Sequence, residues 1–162
     1  MTLKSSFPPV AAPDARLLIL GSLPGERSLA EQRYYAHPQN QFWRLMSPVV
    51  GLPLASMLYE DRLRVLQGRR VALWDVVATA RRQGSADSAI EDATANDLLQ
   101  LVRALPDLRA VAFNGAKAAA VGAPLLAGEA VALVTLPSSS PLHTIGGPAK
   151  QPAWSALATH LA

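Results

Sequence analysis

Four short stretches of this 162-residue chain carry side chains suited to chemistry. Gly21-Ser22-Leu23-Pro24-Gly25 sets two glycines around a proline, and glycine lets a backbone turn sharply and approach a ligand closely. Free N–H groups in such a turn bind an anion or a carbonyl; the same residues also suit an ordinary strand-ending turn. The run from Tyr34 to Trp43 gathers Tyr34, Tyr35, His37 and the amide of Asn40. Aromatic faces stack on nucleobases, and an amide can hold water with its carbonyl while donating from nitrogen. Asparagine is equally a preferred helix N-cap, and Phe42 and Trp43 suit a core. From Leu136 to His143 the chain presents Ser138, Ser139 and Ser140 between Pro137 and Pro141. Hydroxyls and amides at a loop tip fit phosphate contacts, and Leu142 is placed to act as an apolar wedge in a base stack or to stand as a plain exposed leucine. Asp75, closing Leu73-Trp74-Asp75, offers a carboxylate to a base's ring N–H or to a turn.

Composition narrows the chemistry further. With no cysteine, the chain has no disulfide, thiolate zinc site, iron–sulfur cluster or cysteine nucleophile. His37, His143 and His160 lack metal-ligand spacing, so neither a metal nor another cofactor is expected. Hydroxyls, amides, carboxylates, histidine and backbone donors remain. The net charge is +3, and 12 of the 15 basic residues are arginine, whose planar fork suits phosphate; arginine is also ordinary surface charge. No apolar run reaches the roughly 18 residues that cross a bilayer, and Met1 to Pro13 lacks the apolar core of a secretory signal. A cytoplasmic location with no membrane partner is the expectation.

These side chains need a frame, and hydrophobic patterning supplies one. Arg16 to Leu20, Val71 to Val76, Ala110 to Asn114 and Val131 to Leu136 are continuous apolar runs, the pattern of strands covered on both faces. Helical patterns separate them. Phe42, Leu45, Met46, Val49 and Val50 make one stripe, with Pro48 and Gly51 near its end. Leu98, Leu101, Val102 and Leu105 make another, capped by Thr94 and stopped by Pro106. Further helices are expected over Met57 to Leu66 with Ser56 as cap, over Gly115 to Val121, and over Trp154 to Leu161. The result is one α/β domain over residues 1–162, a three-layer α/β/α sandwich around a mainly parallel four-stranded sheet, with an irregular segment at 1–14. Ligands bind beyond the carboxyl ends of such strands. Gly21 to Gly25, Asp75, Asn114 and the serine loop all fall there.

In order and spacing, Gly21 to Gly25, His37-Pro38-Gln39-Asn40-Gln41-Phe42-Trp43 and Leu136 to Pro141 resemble the uracil-DNA-glycosylase superfamily, and within it the hypoxanthine-DNA glycosylase branch called family six. Leu73-Trp74-Asp75-Val76 and Gly84-Ser85-Ala86-Asp87 share the likeness, which spans nearly the whole chain. The resemblance implies a monofunctional DNA-repair glycosylase acting as a monomer on DNA that contains a deaminated base: hypoxanthine first, with uracil and xanthine open. In the uracil-specific branch the third position of the first motif is a water-activating aspartate; here it is Leu23. That branch opens its second motif with a histidine; here Ser138 stands in its place. The resemblance supplies Asn40 as the catalytic amide and Tyr35 as the ring stacked on the extruded base. Gly21, Ser22, Leu23, Pro24, Gly25, His37 and Asp75 then hold the base. Ser138, Ser139, Ser140, Pro141, Leu142 and His143 meet the DNA. His37 and His143 are both open as donors to the leaving base. Two other classes compete: a non-catalytic DNA- or nucleotide-binding module on the same fold, and a serine hydrolase pairing Ser138 to Ser140 with His143, which lacks the G-x-S-x-G elbow.

Overall fold

The computed structural model of the chain describes residues 2–142 and 146–162. His143, an expected DNA contact and candidate donor, lies outside the described residues. The apolar runs form strands β2 (Leu17–Gly21), β3 (Val71–Asp75), β6 (Ala110–Asn114) and β7 (Ala132–Leu136). All pair in parallel, in the order β3-β2-β6-β7. Alternation along β2 shows why the fold has three layers. Leu17 and Ile19 join a core with Phe42, Leu45, Met46 and Trp154, whereas Leu18 and Leu20 join one with Val102, Phe113 and Ala118. Successive side chains of a strand point to opposite faces, so each face of the sheet carries its own core and its own helices. β7 departs from the expected double burial. It is an edge strand, and Ala132, Leu133 and Thr135 are exposed.

The short α1 (Glu26–Glu31) follows the 21–25 turn; on one face of the sheet lie α2 (Phe42–Val50), α3 (Tyr59–Gly68) and α6 (Gly147–Ser155), and on the other α4 (Leu98–Arg103) and α5 (Ala116–Leu125). α2 runs through Pro48, and Gly51 closes it at φ 75°, with its N–H on the Ser47 carbonyl, a left-handed cap that glycine takes without strain. Three expected boundaries shift. Ser56 does not cap α3; it ends a 3₁₀ turn and its hydroxyl donates to the Pro53 carbonyl. Thr94 does not cap α4, because Asp97 Oδ1 accepts from Gln100 N–H at 3.1 Å. The closing helix starts earlier than Trp154, at Gly147, and finishes as a 3₁₀ turn over Ala156–Leu161.

A second sheet has no counterpart in the sequence reading. β1 (Leu3–Ser5), β4 (Val77–Arg81) and β5 (Glu91–Ala95) pair antiparallel in the order β1-β4-β5. Thr94 belongs to β5, whose five residues are all exposed and so show no apolar period. The 1–14 segment is therefore not simply irregular. Leu3–Ser5 pairs with Thr79–Arg81, and Val10 bridges to Leu73 on the parallel sheet.

Candidate active site

The parallel register aligns the chemistry. Gly21 lies opposite Asp75, and Leu20 opposite Phe113, so Asn114 follows at the same edge of the sheet. Adjacent strands run about 4.8 Å apart, which gathers these residues around one opening. The opening leads into a cavity of about 320 Å³ walled by the 21–25 turn, the 34–40 segment, residues Ser85 and Asp87, and the 138–142 loop. That size suits a small flat ligand. All of the expected base contacts line it, as do Asn40 and Ser138 to Leu142.

Gly21 is required by space. A Cβ there would lie 2.5 Å from Asp75 Oδ1 and 3.1 Å from the Tyr35 hydroxyl. Tyr35 itself adopts φ 52°, a left-handed conformation rarely held without reason by a bulky residue. Its ring stacks on Phe42, with centroids 3.9 Å apart and planes 11° from parallel, and Trp43 Nε1 donates to its carbonyl at 3.1 Å. Phe42 thus covers one face of a ring that is only half-buried and borders the cavity. The phenol oxygen is buried without a hydrogen-bond partner, and its pKa is pushed up by burial first and by Asp75 second, the Asn114 side chain opposing.

Asn40 stands at the cavity wall just before α2, whose N-cap is Gln41. Its Oδ1 accepts from Phe42 N–H at 3.0 Å, shaping the entry to α2, while the side chain borders the cavity. Among the described residues its Nδ2 has no partner, and the carbonyl oxygen keeps a second lone pair. His37 is exposed at the cavity rim, and its Nδ1 accepts from Gln39 N–H at 3.1 Å.

The serine loop is a braced wall. Ser139 N–H donates to Asn114 Oδ1, and Asn114 Nδ2 donates to Ser139 Oγ, both at 2.9 Å. Ser139 is buried, so the expected phosphate contact is corrected: its hydroxyl is spent orienting Asn114. Ser138 Oγ accepts from Ser140 N–H, and Ser140 Oγ accepts from Leu142 N–H. The loop is also tied to the Asn40 segment. Gln41 N–H donates to the Ser139 carbonyl, and buried Lys150 donates to Gln41 Oε1 at 2.8 Å and to the Ser140 carbonyl at 3.5 Å. Leu142 stands 60% exposed at the rim. Ser138 and Ser140 thus turn their oxygens to the loop's own backbone, while His143, the partner a serine hydrolase would use, lies outside the described residues.

Four residues beyond the expected set complete the site. Asn114 was legible only as a strand end. Buried Arg82 donates to the carbonyls of Pro24, Leu23 and Gly84, pinning the 21–25 turn from behind. Ser85 Oγ accepts from Glu26 N–H, and Ser22 Oγ donates to Asp87 Oδ1 at 2.5 Å. Leu23 turns into the second core. Asp75 is buried, and its Oδ2 has no partner. Burial first and the Asp87 charge second push its carboxyl up to about 7, against the pull of Arg82.

Fold and site together define an α/β/α domain with an aromatic-backed, base-sized cavity at the strand ends, held open by a glycine and ringed by amides and carboxylates. The comparisons give this class its family. The model of the uracil DNA glycosylase superfamily matches residues 8–158. A protein of Methanosarcina acetivorans named Hypoxanthine DNA glycosylase is 40% identical over 158 residues, covering 98% of this chain and 99% of the relative. One of the same name from Methanosarcina barkeri is 42% identical over 114 residues, 70% of this chain and 72% of the relative. A solution NMR structure of a candidate uracil DNA glycosylase from Methanosarcina acetivorans superposes with a TM-score of 0.89 at 40% identity, covering 99% of each chain. The chain belongs to the uracil DNA glycosylase superfamily.

Proposed function

We propose that hypoxanthine in DNA is the base this glycosylase removes, with Asn40 as its catalytic amide. The enzyme is a DNA-repair glycosylase for deaminated bases. The observation that carries the finer reading is the Tyr35 ring, stacked on Phe42 at the wall of a base-sized cavity. A flipped purine stacks there while polar groups at the strand ends meet its edge. Hypoxanthine offers O6 as an acceptor and N1–H as a donor, matched by the amide of Asn114 and the backbone of Ser22 to Gly25, with the Asp75 carboxyl at the same wall. The two relatives named Hypoxanthine DNA glycosylase point the same way.

The chemistry begins with extrusion, which costs a few kcal/mol and least for a poorly paired base. Ser138, Ser140 and Pro141 meet the backbone, and Leu142 fills the gap left in the stack. The glycosidic bond then breaks through an oxocarbenium-like state. Asn40 orients water beneath C1′; an amide is a poor base, so its work is positioning and electrostatics. With no lysine in a base-facing motif, the product is an abasic site and not a Schiff base. The protein acts as a monomer in the cytoplasm, at the nucleoid.

Duplexes carrying one hypoxanthine, uracil or xanthine, treated with the protein and then with hot alkali, test this. Alkali-dependent strand cleavage is expected, strongest for hypoxanthine and reduced about a hundredfold or more in Asn40→Ala. Full cleavage by the mutant removes Asn40 from its role. DNA affinity without base release would favour a binding module.

A further inference from the structure

We propose that Asp75 is the acid that assists the leaving base, giving its proton to N7 of the flipped purine as the C1′–N9 bond breaks; this rests on the purine reading above. A departing purine anion needs a donor, and among the described residues, which do not include His143, the structure narrows the field. Leu23 has no polar atom. His37 is exposed and Ser139 is engaged with Asn114. Lys150 is turned to Gln41 and the Ser140 carbonyl. Asp75 is buried at the cavity wall beside Gly21, with an oxygen that nothing in the described protein satisfies.

The surroundings favour the protonated form. A buried carboxylate without a hydrogen-bonded partner is costly, and the group neutralises instead. Arg82 is the neighbouring cation, yet its guanidinium is committed to the carbonyls of Leu23, Pro24 and Gly84. Asp87 lies nearby, its Oδ1 accepting from the Ser22 hydroxyl, and adds to the push on the Asp75 carboxyl. From the 34–40 segment, Tyr34 and Tyr35 present neutral phenols whose pKa values are raised by burial and by Asp75. A carboxyl pushed up to about 7 is matched to proton transfer near neutral pH.

The step balances. The C1′–N9 electron pair leaves with the base, the Asp75 proton bonds to N7, and water oxygen bonds to C1′. The surplus water proton passes to solvent, and Asp75 regains one from solvent as the product departs. Net, one water is added across the bond.

Single-turnover rates against pH test the assignment, on duplexes carrying hypoxanthine or 7-deazahypoxanthine, for the wild type, Asp75→Asn and Asp87→Asn. The wild type is expected to hold its rate on hypoxanthine below a pH of about 7 and to lose it above. Asp75→Asn should be slower by about a hundredfold and lose that falling limb. Asp87→Asn leaves the acid in place but removes its like-charged neighbour, so the limb should move to lower pH. The 7-deaza base lacks the accepting nitrogen. It should be cut slowly by the wild type and no more slowly by Asp75→Asn. A limb unmoved in both variants, a rate that rises through a pH of about 7, or equal cleavage of the 7-deaza base overturns the proposal while leaving hypoxanthine as the substrate. Uracil cut and hypoxanthine spared overturns both.

Discussion

Tyr35 concentrates what a single residue contributes here. Its strained backbone and unpartnered hydroxyl weigh against folding, and its ring serves the site. Removing only the hydroxyl separates the two. Tyr35→Phe keeps the stack on Phe42 and relieves a buried polar group worth about 1–3 kcal/mol. It is expected to raise the melting temperature while base release persists. Tyr35→Ala deletes the stacking surface, worth about 1–3 kcal/mol per base, and should weaken lesion-DNA binding by about 5- to 150-fold in a titration. Equal binding by both variants would take the base away from this ring. Aromatic and amide side chains clustered before an amphipathic helix marked Tyr35 and Asn40 as candidates in the sequence, and the family resemblance supplied their proposed roles. Arg82 was not announced, and Asp87 stood only inside a segment that shares the family likeness, with no role of its own. Their roles depend on which carbonyls and hydroxyls the fold brings within reach, and an adjacent arginine pair reads as surface charge. Ser139 failed as a phosphate contact for a related reason, since burial of one serine in three leaves no mark on the pattern.

Elements carry the site through two ties: Asn114 to Ser139, and the Asn40 segment to the serine loop through Gln41 and Lys150. The first depends on Gly115, at φ 101°, where a Cβ would come within 3.1 Å of Ser138 Cβ. Gly115→Ala is expected to cost about 1–3 kcal/mol of stability. It should cost more in base release than that loss explains, because the new methyl pushes the wall that holds Asn114. Thermal unfolding and excision rates on the same sample check this, and an activity loss no greater than the unfolded fraction would deny the link. β2, β3 and β6 were legible because double burial leaves continuous apolar runs, and β7 because its run is apolar although it is an exposed edge. β1 and β5 were not: each is short, largely exposed and partnered with β4, and edge strands of that kind lack an apolar period. α6 escaped for a different reason, because Gly147, Pro148 and Pro152 read as loop residues yet sit within a helix.

At the scale of the whole molecule, one cavity holds an unpartnered phenol, an unpartnered carboxyl oxygen and a left-handed tyrosine, and two packed cores support them. Sites that need strained or underpaired groups lower stability, which the remaining fold must offset. Asp75 makes this measurable through pH. Its pKa is about 7 in the folded chain, against an ordinary value of 3.8. Between those values the native state binds more protons at this group than the unfolded state, so its contribution to stability falls as pH rises. Below the lower value both states are protonated and the group contributes nothing; above the upper one the burial penalty is complete. Other carboxylates titrate in the same range, and comparison with Asp75→Asn cancels them. The melting temperature of Asp75→Asn minus that of the wild type should therefore grow from a pH of about 4 to about 7 and level off beyond. A difference that stays constant, or shrinks with rising pH, would mean that the carboxyl is ionised in the folded protein across this range, and the cavity would then present a fixed negative charge to the base.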